Sequence, residues 1–169
     1  ADRNLSLLER EQPSADAEII TLALHVDYWN NLGWTDEFSS PMYSQRQAIY
    51  GQKFKIGSIY TPQMVVDGTG QFVGSNLNEA QKAISESAKT PKAKVELFGE
   101  GEKLKVKISD IPAHELATVF VAVAEDNLST DVKGGENNGR SLLHSSVVRQ
   151  LKPLGSIPAQ GKDFEIEAV

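Results

Sequence analysis

The chain has 169 residues, 40% of them hydrophobic and 24% charged, as in an ordinary globular protein of one good-sized domain or a domain with a small appendage. Lys+Arg 17 against Asp+Glu 23 leave a net charge of −6, and an acidic chain without a basic run is unsuited to nucleic acid, whose phosphates need clustered cations. Cysteine is absent, which excludes disulfides and thiolate metal sites without identifying a compartment, and no apolar run reaches the ~18–20 residues that span a bilayer.

Asp2 to Gln12 reads as a helix, with Leu5 and Leu8 on one face and Pro13 ending it. Ile19 to Leu24 is a short apolar run suited to a strand buried on both faces. Polar groups then appear abruptly in His25-Val26-Asp27-Tyr28-Trp29-Asn30, at the strand end where open α/β sheets build sites. After a linker through Leu32-Gly33-Trp34, Ser40 at the N-cap and Pro41 at the first helical position start a helix running to about Phe54. Tyr43, Ile49 and Tyr50 are its expected inward positions.

Ile56 to Gly68 holds a tight turn, Thr61-Pro62, a short apolar strand, and a hairpin at Asp67-Gly68 leading to Gln71–Gly74. Where a turn meets a central strand, an X-Pro bond can be held cis. The proline also removes one ladder N–H, leaving a strand edge open to an extended peptide. Asn76 with Glu79 marks the next helix start, and Leu77, Ala80, Ile84 and Ala88 follow at helical spacing.

Thr90-Pro91 breaks this pattern. Residues 93–98, 104–108 and 118–124 read as strands, the first two joined by Gly99-Glu100-Gly101-Glu102; 147–151 and 164–169 are a further two. The lysines between Lys89 and Lys107 are interleaved with Glu96, Glu100 and Glu102, as on a solvated strand face. The expected division is therefore residues 1–90, an α/β domain, and 91–169, a small antiparallel β-rich unit. A chain that begins inside a helix and stops inside a strand has the look of a fragment cut at both ends, and its first residues carry no signal-peptide core.

Several residues invite chemistry. His25 and Asp27, two apart on a strand, point to one face and could hold a metal or exchange a proton. With no third ligand nearby, the expectation is that they hold the strand end in place, and no metal or other cofactor is expected. Tyr28, Trp29 and Trp34 could wall a cleft beside Pro62, or simply bury area. Gly134-Gly135-Glu136-Asn137-Asn138-Gly139-Arg140, followed by His144, lacks the strand-to-helix pattern of a phosphate loop. An ion pair between Arg140 and Glu136 that fixes the loop is favoured over anion capture. No nucleophile elbow, metalloprotease motif or paired-carboxylate signature is present.

The run His25-Val26-Asp27-Tyr28-Trp29, with Leu32-Gly33-Trp34, Ser40-Pro41, Arg46-Gln47 and Tyr60-Thr61-Pro62-Gln63-Met64-Val65-Val66, resembles one bacterial secreted family. So do Gly135-Glu136-Asn137, Gly139-Arg140, His144 and Val147-Val148-Arg149. The family is known as domain of unknown function 1223. The resemblance implies a thioredoxin-like fold, here incomplete at its N-terminus, followed by a β-rich part. It also implies a strand and a Cys-x-x-Cys segment just upstream of Ala1, preceded by a signal peptide, in an exported, periplasmic or secreted protein. The implied activity is thiol–disulfide exchange in the intact protein, this cysteine-free chain being redox-inactive. Its partner would be an extended peptide or disulfide-containing protein, bound at Thr61, Pro62, Tyr28, Trp29 and Trp34. The alternative is a non-catalytic peptide- or partner-binding module.

Overall fold

The computed structural model describes residues 1–100, 103–135 and 137–168. In chain order its elements are α1 (Asp2–Glu11), α2 (Pro41–Lys53), β1 (Gln63–Val66), β2 (Gly70–Val73), α3 (Leu77–Ser87), β3 (Lys94–Glu100), β4 (Lys103–Ser109), β5 (Ala117–Glu125), β6 (Leu128–Asp131), β7 (Ser141–His144), β8 (Val147–Ile157) and β9 (Phe164–Ala168). The architecture is mixed α/β with small antiparallel sheets: β1 with β2, β3-β4-β9, β5 with β8, and β6 with β7.

Local chemistry accounts for the helix boundaries. Ser40 accepts a hydrogen bond from the Met42 amide at 3.3 Å, and Asn76 Oδ1 accepts one from the Glu79 amide at 3.2 Å. Each satisfies a first-turn N–H that has no partner inside the helix. Gln12, just after α1, adopts a left-handed conformation and returns its N–H to the Leu8 carbonyl, closing the helix before Pro13.

The chain divides into two units. One comprises Ala1–Lys89 and Ala124–Arg149; the other comprises Thr90–Val123 and the chain from Gln150 onward. Residues 124–149, expected in the second part, belong instead with the first. Long-range bonds hold them there. Ala23 donates to the Ser146 carbonyl at 2.7 Å and accepts from the Val148 amide at 2.9 Å, and the Tyr43 hydroxyl donates to the Val148 carbonyl at 2.9 Å. Val147 and Val148 are the largest fully buried side chains.

In the first unit, Leu8, Ala80 and Ile84 form a core with Ile19, Met64, Val66, Phe72 and Leu77 packed against it. α1 and α3 thereby cover the β1–β2 hairpin. Pro62 precedes β1, and the Gly74 amide donates to its carbonyl at 2.8 Å. A side chain at Gly74 would meet Pro62 Cβ at 3.4 Å.

Ile19 to Leu24 departs from expectation. It is not a regular strand but makes isolated parallel bridges at Ala23↔Val147 and His25↔Ser39. Thr21 and Ala23 are buried, whereas Ile20 is 79% and Leu22 42% exposed. One edge of the segment has backbone partners; the amides and carbonyls of Ile20, Leu22 and Leu24 have none among the described residues. A ladder needs successive pairings with one partner strand, and here Ala23 pairs with Val147 while His25 pairs with Ser39, two different segments. On α2, Tyr43 is buried as expected, but Ile49 is 65% exposed.

In the second unit, β3 and β4 are in register from Lys94↔Ser109 to Glu100↔Lys103, and β9 adds against β4. Gly101 and Glu102, expected in the connecting turn, lie outside the described residues. Val106, Ile108 and Ile157 form its core, with Val119, Leu154, Phe164 and Ile166 against them. The charges expected to alternate along β3 and β4 do pair: Lys94 meets Glu96 at 2.9 Å, and Lys105 meets Glu165. β6 and β7, which alternation alone did not mark, pair from Leu128↔His144 to Asp131↔Ser141.

Candidate functional site

Two groups of side chains in the first unit carry the sequence-predicted residues. The first surrounds Thr61-Pro62, whose peptide bond is cis. The Trp29 indole N–H donates to Thr61 Oγ1 at 3.0 Å. Tyr28 and Trp29 pack ring to ring, centroids 5.2 Å apart and planes 58° apart. The Tyr28 hydroxyl donates to Gln47 Oε1 at 2.9 Å, and the Gln47 amide donates to the Tyr60 carbonyl at 2.8 Å. Burial pushes the Tyr28 phenol above its ordinary range, more than its hydrogen bonds with Gln47 and Thr61 lower it.

Thr61, Pro62, Tyr28 and Trp29 are all exposed. No backbone hydrogen bond involves the Thr61 N–H or C=O among the described residues. An exposed main-chain donor and acceptor beside two aromatic rings suit an extended peptide, which brings the complementary pair. Among the described residues, no ring contact or hydrogen bond joins Trp34 to this group. It lies in the loop against Gly134, where an added Cβ would stand 3.6 Å from the Trp34 Cβ.

The second group gathers residues distant in sequence. His25 Nδ1 and Asp36 Oδ2 are 2.6 Å apart, with side chains 14% and 20% exposed. The Phe38 amide donates to Asp36 Oδ1 at 2.9 Å. Burial alone would raise the Asp36 carboxyl, but the hydrogen bonds from His25 and the Phe38 N–H, with the charges of His25 and His144, outweigh it and hold the group below its usual range. The rings of His25 and His144 meet edge to face at 5.2 Å, and Phe38 touches both, at 5.8 and 5.5 Å. The Arg149 guanidinium lies over Phe38, 4.9 Å from the ring centroid.

His144 is buried, and neither ring nitrogen has a hydrogen-bond partner among the described residues. Its Nδ1 stands 3.6 Å from Asp2 Oδ2, within reach of an ion pair but beyond a hydrogen bond. Leaving a buried polar group unmatched costs about 1–3 kcal/mol.

The remaining candidates separate. Asp27 does not act with His25: its carboxylate accepts from Ser44 Oγ at 2.5 Å, and its amide donates to the same oxygen at 3.1 Å. Both residues thus brace the chain leaving Ala23, each through its own partner. Arg140 is exposed and donates to Asn137 Oδ1 at 3.2 Å, while Glu136, its expected partner, lies outside the described residues. Gly134 and Gly135 of that loop have a packing reason. A Cβ on Gly134 would fall 2.1 Å from the Gly33 carbonyl oxygen, and one on Gly135 3.1 Å from the Leu32 carbonyl oxygen.

Among the described residues, no group of three or more His, Cys, Asp or Glu could hold a metal ion, and no helix is long and apolar enough to cross a membrane. Sequence reasoning missed Asp36, Phe38, Asp2, Ser44 and Arg149 as partners in these groups. Asp36-x-Phe38 just before the Ser40 cap was the one available local signal.

No curated protein matches the chain. Among solved structures, the crystal structure of a protein from Agrobacterium tumefaciens superposes with a TM-score of 0.77 at 22% identity, covering 98% of this chain and 69% of the other. At that identity the likeness speaks for the fold alone. A family model described as protein of unknown function (DUF1223) matches residues 1–168. That match spans both units, and the chain belongs to the DUF1223 family.

Proposed function

We propose that this chain is the peptide-recognising part of a thioredoxin-like thiol–disulfide oxidoreductase that acts on exported proteins. The observation that carries the reading is the state of Thr61. Its side chain is tied to the Trp29 indole N–H, while the residue is exposed and its main-chain N–H and C=O have no backbone partner among the described residues. An extended peptide laid along this edge would exchange main-chain hydrogen bonds with Thr61 and rest its side chains on Trp29 and Tyr28.

These 169 residues hold no cysteine, so the dithiol of such an enzyme comes from outside them. The family resemblance implies that it stands at the N-terminal end of α1. There the helix dipole and unpaired N–H groups would favour a thiolate. One thiolate attacks the bound disulfide, and the second resolves the mixed disulfide.

The direct test is binding of unstructured, disulfide-containing peptides to this chain, read by the amide shifts of Thr61 and by tryptophan fluorescence. No perturbation of Thr61 or Trp29 at saturating peptide overturns the recognition role. Insulin reduction by the full-length protein tests the chemistry separately. Peptide binding without any reduction would favour a binding module that uses the same edge. The compartment is checked by fractionating cells that express the full-length protein.

A further inference from the structure

The N-terminal end of α1 is more than a bare helix terminus. The helix has ten residues, and Ala1 at its N-cap offers no side chain to the first-turn N–H groups, so that end carries partial positive charge. Beside it stands His144, its side chain only 6% exposed, with Nδ1 3.6 Å from a carboxylate oxygen of Asp2, the first residue of the helix. Neither nitrogen of that ring is hydrogen-bonded among the described residues. Native structures rarely bury an unmatched imidazole without a use for it.

The groups facing His144 come from every neighbouring element. Asp2 faces it from α1, and His25 from the segment after Ala23. Asp36, ahead of α2, holds His25 and acts on His144 through its charge. Arg149 of β8 lies over the ring of Phe38, which itself meets both histidines. His144 is thus an imidazole with free nitrogens, one of them already directed at an anionic oxygen at the helix terminus.

We propose that His144 is the acid–base residue for a sulfur held at the N-terminal end of α1. As imidazolium it favours a thiolate there, and it supplies the proton when a thiolate leaves. The assignment rests on the thiol–disulfide reading above. In the exchange, a thiolate attacks one sulfur of the substrate disulfide; a new S–S bond forms and the old one breaks. The expelled thiolate takes the proton of the His144 imidazolium, leaving neutral imidazole. Over the full cycle the dithiol loses two electrons and the substrate disulfide gains them. His25 and Asp36 are positioning residues: the carboxylate fixes the His25 ring, and that ring supports the edge of His144.

Asp2→Cys tests this in the chain as it stands, because it sets a sulfur where the carboxylate faces His144. Thiolate formation is followed by ultraviolet absorbance and by the pH dependence of iodoacetamide alkylation. The expected thiol titrates at least about one pH unit below the ordinary ~8.5 of cysteine, and adding His144→Gln moves it back up by about one unit, a tenfold loss of thiolate below its midpoint. Identical titrations with and without His144 overturn the assignment. Should the double variant fail to fold, the His144 proton resonances in Asp2→Cys alone decide. An inflection at the thiol's midpoint supports the coupling, and its absence refutes it. Absence of insulin reduction by the full-length protein would sink the redox reading by a separate measurement, so the two failures are told apart.

Discussion

Replacing Gly134 by alanine separates a packing role from a ligand-cradling one in the glycine-rich loop. The new Cβ would lie 2.1 Å from the Gly33 carbonyl oxygen and 3.0 Å from its carbonyl carbon. Close C···O contacts in proteins are about 3.3–3.6 Å, so one of the two loops must retreat by roughly 1 Å or more. Both clashing atoms are backbone, so no side chain can swing aside. Such overpacking costs about 1–3 kcal/mol, and for a chain of this size that lowers Tm by roughly 2–12 °C. The assay is thermal or urea unfolding followed by tryptophan fluorescence. The two tryptophans, Trp29 and Trp34, both lie in the first unit, so the signal reports the unit that carries the loop. Gly57→Ala is the control: its Cβ meets nothing within 4 Å, and the expected change is nil or a gain of about 0.4–1 kcal/mol from a stiffer unfolded chain. A Gly134→Ala protein within ~0.5 kcal/mol of the parent, the usual span of neutral surface changes, would refute the reasoning.

Asp36, held below the usual carboxylate range by His25 and the Phe38 amide despite its burial, should make the first unit acid-sensitive. A depressed folded-state pKa adds stability above the unfolded value near 3.9 and loses it as pH falls through the folded value; urea midpoints from pH 7 to pH 2 should therefore decline less in Asp36→Asn, and parallel curves would contradict this. Trp29→Phe removes the 3.0 Å intramolecular bond to Thr61, which should cost about 1 kcal/mol of stability or less, and its smaller ring and less firmly held Thr61 should weaken peptide binding about fivefold; urea unfolding reads the first and calorimetric titration the second, and unchanged affinity would contradict the recognition role. Val147→Ala, at a position of zero exposure, should cost about 2 kcal/mol, from two lost methyl groups at ~0.8 each plus a residual cavity. Leu143→Ala, 74% exposed, should be nearly silent in the same melt, and equal losses at both positions would discredit the burial assignment.

Signals that act within a few residues were legible before any coordinates. The Ser40-Pro41 and Asn76-x-x-Glu79 helix starts, the stop at Gln12-Pro13 and the hairpin at 67–70 all depend on side chains that satisfy nearby backbone groups. Trp29 beside Thr61-Pro62 was legible as well, through the company these residues keep in a family. Three features were not. Ile19 to Leu24 looked like a strand buried on both faces because apolarity reports preference, not the presence of a partner; in the structure Ile20 stands 79% exposed on the side where no backbone partner is described. Residues 124–149 looked like part of the β-rich tail, since nothing local announces that Val148 bonds both Ala23 and Tyr43. Spacing places His25 and Asp27 on one strand face and predicts that they hold the strand end in place, but it does not show that the His25 ring does so by meeting Asp36.

By itself, then, the amino-acid sequence determined the helices, their caps, the tight hairpin at 67–70 and the absence of any thiol. It also determined the family, because a motif set spread along the chain survives without coordinates. Tertiary structure alone decided which charges face one another. Asp2, His25, Asp36 and His144 come from separate stretches of the chain, and what joins them is the docking of residues 124–149 beside Ala23. Spacing along a strand or helix predicts which side chains share a face. It is silent on which faces meet, because that depends on the burial of Val147 and Val148 against distant partners and on no periodicity of the chain.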